Sequence, residues 1–390
     1  MRDGWVDYKF KDVATAIKGK LPKSKNEDGI GVPYLTASYL RSSQPDYWIE
    51  NLEGAVTAED GDCLILWDGA GAGDLFSARR GVVSSTMAVV TTQNSKILRE
   101  FLTLFISSKA DYIKETCRGT TVPHVSPDAI ANMELKIPPL PEQKRIVDLI
   151  SSVDSYIKAL EQQLASARSA SNAQLEKIIS EFNEDWVEVT LGEVLEISRG
   201  GSPRPIQEYL TDSEDGINWV KIADATRSEK YIYSTLQKIK KEGISRSREV
   251  FSGDFILSNS MSFGRPYIMR TDGCIHDGWL LFSKVSNRFD EDFLYNLLNS
   301  DYVQRQFESL AAGSGVRNLN IEVVKKVKVK IPTIEVQREL ASIINEFDNF
   351  IIKLTRQLHS GMDLRQALLS DLLSGEHEIP VTYDKVIGAA

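Results

Sequence analysis

The chain repeats itself. Trp5-Val6-Asp7 is echoed 181 residues later by Trp186-Val187-Glu188. At the same offset Lys18-Gly19-Lys20-Leu21-Pro22-Lys23 faces Arg199-Gly200-Gly201-Ser202-Pro203-Arg204, so both copies read basic-Gly-x-x-Pro-basic. Gly61-Asp62-Cys63-Leu64-Ile65-Leu66 matches Gly253-Asp254-Phe255-Ile256-Leu257-Ser258, a turn running into a buried strand in each copy. Toward the ends Gly119-Thr120-Thr121-Val122-Pro123-His124-Val125 lies opposite Gly313-Ser314-Gly315-Val316-Arg317-Asn318-Leu319, now at an offset of 194 that holds through Ile137-Pro138 and Ile331-Pro332, Gln143 and Gln337, and Asp154 and Asp348. The growth of the offset places insertions in the middle of the second copy. Similar ends around a divergent middle imply one scaffold with two different working surfaces.

Each Ile-Pro introduces a helical pattern. In the first copy Ile146, Ile150, Val153, Ile157, Leu160, Leu164 and Ala167 recur at alternating steps of four and three; in the second Leu340, Ile344, Phe347, Ile351, Leu354, Leu358 and Gly361 take the same steps. This is an a/d heptad seam. Ile178-Ile179 and Leu368-Leu369 extend both patterns, which gives helices of about 40 residues, or roughly 60 Å each. Pro138, Pro139, Pro141 and Pro332 suit the start of a helix rather than its interior. A helix packed on its own domain is the plain alternative, but two in-register seams of this length favour an antiparallel coiled coil, with Ile146, Ile150, Val153 and Ile157 set against Leu340, Ile344, Phe347 and Ile351. The order is therefore globular, helix, globular, helix: a mixed α+β chain with boundaries at 1–136, 137–185, 186–330, 331–380 and a tail at 381–390. Helical patches such as Ile97–Ile113 and Phe293–Leu310 sit among short apolar runs in the globular parts.

Charge is distributed along the same boundaries. The chain of 390 residues carries a net charge of −9, an unpromising total for a nucleic-acid binder. Counted by segment it is −2 for 1–136, −3 for 137–185, 0 for 186–330 and −4 for 331–390. Most of the excess acid thus falls on the helices, and each globular part can present a basic face. Cys63, Cys117 and Cys274 have no CxxC spacing, so neither a disulfide framework nor a zinc site is indicated, and a cytoplasmic setting fits. No apolar run has the length of a membrane span, and no signal-peptide pattern opens the chain.

Two similar but unequal modules at a fixed separation are suited to a split, asymmetric DNA site, in the way that dimeric binders fit half-sites with two chains. The motifs that carry this reading resemble a known family. Ile137-Pro138-Pro139-Leu140-Pro141-Glu142-Gln143-Lys144-Arg145-Ile146-Val147, and the weaker Ile331-Pro332-Thr333-Ile334-Glu335-Val336-Gln337-Arg338-Glu339-Leu340, look like the segments that lead into the spacer helices of type I restriction–modification specificity subunits. Trp186, Leu191-Gly192 and Gly200-Gly201-Ser202-Pro203 resemble the opening of that family's recognition domains; Trp5 and Lys18–Pro22 match less closely and lack the Leu-Gly pair. Asn218–Asp224 resembles the family's next strand, and Asp68-Gly69-Ala70-Gly71-Ala72-Gly73 its Gly-rich turn, with Ser262-Phe263-Gly264-Arg265 a degenerate second copy. The resemblance implies two target recognition domains, binding to double-stranded DNA, two adenine methyltransferase subunits as partners, and two translocating endonuclease subunits as optional further ones. It implies a non-catalytic role in phage defence: this chain holds no cofactor, and S-adenosylmethionine belongs to the methyltransferase.

Candidate DNA contacts are basic or polar groups on loops, where positioning and base-reading side chains usually lie. Lys18, Lys20, Lys23 and Lys25 form one such loop, with Arg199, Ser202 and Arg204 as its counterpart. Arg79, Arg80 and Arg265 follow the Gly-rich turn. Arg118, Thr120, Thr121 and His124 align with Ser314, Arg317 and Asn318. Arg317-Asn318 is the favoured base-reading pair, because Arg suits guanine and Asn adenine.

Catalytic readings fare worse. Gly69, Gly71 and Gly73 lack both GxGxxG spacing and a Walker lysine. Pro127-Asp128 with Glu134-Leu135-Lys136 superficially spells a nuclease motif, but the spacing is short and a helix-to-strand passage before Ile137-Pro138 fits better. His124, His276, His359 and His377 have no ligand spacing, and no methyltransferase motif of the Asn-Pro-Pro-Tyr kind occurs. A coiled-coil protein scaffold that does not bind DNA is the alternative from another class.

Overall fold

The computed structural model describes residues 4–119, 121–180, 185–227, 230–259, 263–283, 285, 288–312 and 318–387. They form two compact units, Met1–Glu161 with Gln357–Ala390, and Gln162–Arg356. The sequence repeat is visible as a repeated topology. In the first unit the antiparallel pair Val6–Lys9 and Glu134–Ile137 closes the module; in the second, Val187–Thr190 pairs with Lys328–Ile331 in the same way. One sheet of the first unit orders Thr15–Lys18, Met87–Thr91, Cys63–Leu66 and Leu75–Ser77, all antiparallel. The other orders Trp48–Ile49, Val32–Leu35, Gly81–Val83 and Thr57–Ala58, with a parallel pairing between the middle two.

The second unit repeats both sheets and adds an edge strand to each. Glu196–Arg199, Trp279–Ser283, Phe255–Ser258 and Pro266–Met269 gain Tyr231–Ile232. Gln237–Ile239, Ile217–Val220, Gly273–Ile275 and Arg248–Val250 gain Leu210–Thr211. These additions lie between Trp186 and Gly253, where the offset grows. Cys63–Leu66 and Phe255–Ser258 are buried at every position, the environment an uninterrupted apolar run requires in a strand covered on both faces. The segment from Asn218 is a strand only as far as Val220; Ile222–Thr226 is helical. Its Asp224 side chain accepts from the Lys221 amide at 3.0 Å and so favours the turn over further extension. The Ile97–Ile113 and Phe293–Leu310 patches each resolve into two helices, Arg99–Ser108 with Ala110–Glu115, and Glu291–Asn299 with Asp301–Ala312. The suspected nuclease motif is the passage from helix Pro127–Ala131 to strand Glu134–Ile137.

The two long helices are Leu140–Ser180 and Ile334–Ser374, 41 residues each. A buried glutamine starts each one. Gln143 is fully buried; its Nε2 donates to the Lys96 and Pro138 carbonyls at 2.7 and 2.8 Å, and its Oε1 accepts from the Leu98 amide at 2.8 Å. Gln337 does the same with the Arg288 and Pro332 carbonyls and the Asp290 amide. Leu98 and Asp290 are the N-cap residues of Arg99–Ser108 and Glu291–Asn299. Each glutamine therefore ties three things together: the proline turn, the first turn of a long helix, and the start of a module helix. Only an amide, with two donors and an acceptor, satisfies all three groups.

Within each unit the helix segments run antiparallel. In the first, Ile146 and Ile150 share a core with Leu369, Leu372 and Leu373. Further along, Arg365 Nη2 lies 3.2 Å from Asp154 Oδ2, and Gly361 leaves room for Ile157, whose Cγ1 is 3.4 Å from where a Cβ would sit. In the second, Leu175, Ile178 and Ile179 meet Leu340 and Ala341. This corrects the expected partnering: Ile146–Ile157 packs on the C-terminal half of Ile334–Ser374, not on Leu340–Ile351, because antiparallel helices match beginnings with ends. Ile146, Ile150, Ile157, Leu160, Leu164, Ile344 and Leu354 are buried, while Val153, Leu340, Phe347, Ile351 and Leu358 are half-buried.

The end of the chain folds onto the first unit. Gly375 lies against the Trp5 ring, Ile379 is buried, and Arg145 pairs with Asp384 at 3.2 Å. The expected tail thus includes a helix, Tyr383–Ile387. Among the described residues no helix is long and apolar enough to cross a membrane.

Candidate nucleic-acid interface

In the first module three of the expected segments meet. Lys18 ends its strand, and its Nζ is 2.5 Å from Asp68 Oδ2 in the Gly-rich turn. Asp68 forms a backbone bridge with His124, which in turn exchanges two backbone hydrogen bonds with Arg118, at 2.8 and 2.9 Å. The Gly69 amide donates to Pro123, and Val125 donates to Trp67. The turn itself holds Gly69, Gly71 and Gly73 at positive φ, a tight turn built for chain reversal.

The glycine of the basic-Gly-x-x-Pro motif is there for another reason. A Cβ on Gly19 would lie 2.2 Å from the Ser84 and Val83 carbonyl oxygens, and one on Gly200 would lie 2.0 Å from that of His276. The Gly19 and Gly200 amides donate to Met87 and Trp279, at 2.8 and 2.9 Å. The backbone of the basic loop is thus pressed onto the turn before the neighbouring strand, at a distance only glycine permits.

The second module builds the same patch from different side chains. Leu319 donates to the Asn259 carbonyl, the counterpart of Val125 to Trp67. Asp277 is the hub. Its Oδ1 accepts from Ser202 Oγ at 2.6 Å, its Oδ2 lies 3.7 Å from Arg204, and its carbonyl accepts from Arg199 Nε and Asn259 Nδ2. The Ser202 hydrogen bond is the largest influence holding the Asp277 carboxyl below the usual carboxylate range, opposed by partial burial. His276 is driven below its ordinary value chiefly by burial, and its Nδ1 accepts from the Gly278 amide. It sits about 6 Å from the rings of Trp219 and Trp279. Asn318 is half-buried, and its Oδ1 has no hydrogen-bond partner among the described residues.

Not every candidate belongs to these patches. Lys20 and Lys23 are exposed on the loop, and Lys25 stacks on Tyr47, with Nζ 3.4 Å from the ring centroid. Thr121 is exposed beside Pro123. Arg79 donates to Ser43 at 3.0 Å and faces Tyr39, while Arg80 lies 4.0 Å from Glu59; neither is tied to the Lys18–His124 cluster. Arg265 covers the Tyr267 ring at 5.3 Å. Thr120, Ser314 and Arg317 lie outside the described residues. Lys18 and Arg199 are strand ends rather than loop residues, because each extends a ladder, with Ala88 and Leu280 respectively. One group escaped the sequence reading: Arg246 and Arg248 border the Arg199–Arg204 segment. Arg248 Nε donates to the Arg199 carbonyl at 3.3 Å, and the Arg246 carbonyl is 3.1 Å from a Cβ built on Gly201. The run of cations from Lys238 to Arg248 was the available signal.

A family model for the type I restriction modification DNA specificity domain matches residues 2–167 and 183–361. The chain is 26% identical to the type I restriction enzyme MjaVIII specificity subunit of Methanocaldococcus jannaschii, over 96% of this chain and 93% of the relative. It is 22% identical to the EcoBI specificity subunit of Escherichia coli, over 96% and 87%. Its fold is similar to a chain from a study of complex assembly and conformational transition in the type I system (TM-score 0.64, 16% identity, 96% and 98% covered). It is also similar to the type I restriction–modification system S subunit from M. genitalium (TM-score 0.56, 14% identity, 96% and 97% covered). Two copies of one domain, closed by the same strand pairing and each followed by a long helix, carry the family's model almost end to end, and the chain belongs to the type I restriction–modification DNA specificity family as a specificity component, not a catalytic one.

Proposed function

We propose that the chain selects a bipartite, asymmetric sequence in double-stranded DNA. The module within 1–136 takes one half-site and that within 186–330 the other. The helical segments 137–185 and 331–380 set the spacing and carry two methyltransferase subunits, which bring S-adenosylmethionine and the adenine chemistry. Two translocating endonuclease subunits join where the system includes them, and the setting is the cytoplasm. The observation that carries this reading is the repeated patch. In each module a basic strand end, the segment after the buried strand, and the loop before the last helix are held by equivalent backbone hydrogen bonds but present different side chains. Phosphate contacts fix register and base contacts choose sequence, so equal frames with unequal side chains suit unequal half-sites. Hydroxyl-radical footprinting of the assembled methyltransferase complex on its methylated site tests it. Two protected stretches of different sequence separated by an unprotected gap are expected; one continuous footprint contradicts it.

A further inference from the structure

The two modules differ in charge at one topologically equivalent connection. In the first, the link from strand Trp48–Ile49 to strand Thr57–Ala58 spans 50–56 and holds Glu50 and Glu53 with no basic residue. In the second, the link from Gln237–Ile239 to Arg248–Val250 spans 240–247 and holds Lys240, Lys241 and Arg246 against Glu242 alone. The equivalence follows from pairing. Both leading strands lie antiparallel to the central strand of their sheet, Val32–Leu35 or Ile217–Val220. Both trailing strands lie antiparallel to the strand that runs parallel to that central one.

In the second module this link is a 3-10 helix, Lys241–Arg246. It is fastened to the candidate interface rather than free of it. Gly243 packs near Pro203, with 3.6 Å from a Cβ built there to Pro203 Cγ, and Ser247 Oγ donates to the Ile275 carbonyl beside the Gly200 contact. Lys240, Lys241, Arg246 and Arg248 are all exposed. Lys240 Nζ and Arg248 Nε donate to backbone carbonyls, of Glu208 and Arg199, and Arg246 stacks on Tyr209. Such contacts orient a cation without cancelling its charge, and none of the four is in an ion pair among the described residues. Other cations are matched to a carboxylate in both modules, Lys18, Arg41, Lys114 and Arg99 in the first and Arg204, Lys230 and Arg270 in the second.

We propose that Lys240, Lys241, Arg246 and Arg248 form a phosphate-binding surface that grips the DNA backbone next to the second half-site, and that the first module has an acidic link in its place. The second module then adds to the salt dependence of binding a contribution that the equivalent link of the first does not supply. The inference rests on the DNA-reading function proposed above.

The test uses the chain assembled with its methyltransferase partner. Binding to duplexes with and without the methylated site is measured across a range of KCl, for the wild type, for Lys240→Gln/Lys241→Gln, and for the quadruple variant that adds Arg246→Gln and Arg248→Gln. Each phosphate contact contributes about 0.9 to the slope of log affinity against log salt. The slope should therefore become shallower by about 2 in the double variant and by about 3–4 in the quadruple. The loss should be equal on both duplexes, and the methylated sequence should be unchanged. The double variant touches no strand or Gly contact, so it reports even where the quadruple folds poorly. A wild-type slope retained in the double variant overturns the proposal, and so does a loss confined to the cognate duplex, since that marks base reading. A wild-type complex that shows no salt-dependent DNA binding refutes the underlying function as well, which separates the two failures.

Discussion

Replacing Gln143 by Met tests whether the helix start is held by a single side chain. Met keeps the length and most of the volume but removes two donors and one acceptor. The Leu98 amide, capping helix Arg99–Ser108, then loses its 2.8 Å acceptor, and the Lys96 and Pro138 carbonyls lose donors at 2.7 and 2.8 Å. A buried polar group left unsatisfied costs about 1–3 kcal/mol, with carbonyls at the low end because a second lone pair remains available. Burying the thioether returns about 1 kcal/mol. The net loss is about 3 kcal/mol, roughly a hundred-fold in an opening equilibrium. Native-state hydrogen exchange resolves the effect by segment. Amides of 98–106 should exchange about a hundred-fold faster, with amides of the second unit unchanged. Gln143→Glu should be worse than Met, because it keeps the acceptor for Leu98 but aims a carboxylate oxygen at two carbonyls. Gln337→Met should show a smaller change around 290–298, since its bonds are longer, at 2.9 to 3.1 Å. Exchange at 98–106 within threefold of wild type in Gln143→Met would refute the reasoning.

Three further outcomes follow from the packing and the interface. Gly200→Ala places a Cβ 2.0 Å from the His276 carbonyl oxygen, and should cost about 1–3 kcal/mol as backbone and strand move apart; thermal unfolding unaltered by the change would show that the close approach is dispensable. Asp277→Ala should blur sequence choice in the second half-site while Asp277→Asn largely preserves it, because an amide oxygen still accepts from Ser202. Equal gains in affinity in both variants, read by binding to matched and mismatched duplexes, would instead mark Asp277 as a simple repulsive charge. Its depressed carboxyl keeps this tie at neutral pH, and the tie is lost only as pH falls through that lowered value. Ile150→Ala, at a fully buried position packed with the Leu369–Leu373 end of the second long helix, should cost about 2–5 kcal/mol, and Ile157→Asp should cost at least as much; a stable, assembled Ile157→Asp complex would remove the seam from the account.

Much of the scaffold was legible because it rests on local patterns. Heptad steps gave both long helices, the aligned Ile-Pro and Gln gave their starting points, and the uninterrupted apolar runs gave the central strands. Other features depend on contacts between distant residues. The two-sheet division and its parallel pairing of Val32–Leu35 with Gly81–Val83 are non-local, and neither strand's composition announces its partner. Heptad phase identifies the buried face but not the matching half, which is why Ile146 was set against Leu340 instead of the Leu369–Leu373 region. In the candidate interface the basic-Gly-x-x-Pro repeat reads as two basic loops. The glycines are in fact packed against carbonyls, and the cations at the motif's start end strands. Asp68 and Asp277, which hold the patches, come from different parts of the repeat, so alignment of the copies could not reveal their shared task. The basic link at 240–247, with Arg248 beside it, is visible as a charge run, but it has no basic counterpart in the first copy, so the repeat does not point to it.

The central claim is that each module chooses its own half of the target. Exchanging residues 1–136 for the corresponding domain of another specificity subunit, followed by sequencing of methylated adenines in cells that carry the hybrid with its methyltransferase, tests that claim most directly. Two units that make their own contacts and share no partners act independently. The account predicts that one half of the methylated motif is replaced while the other half and the spacing stay as they were. A hybrid that methylates a motif changed in both halves, with the methyltransferase assembled normally, would contradict it.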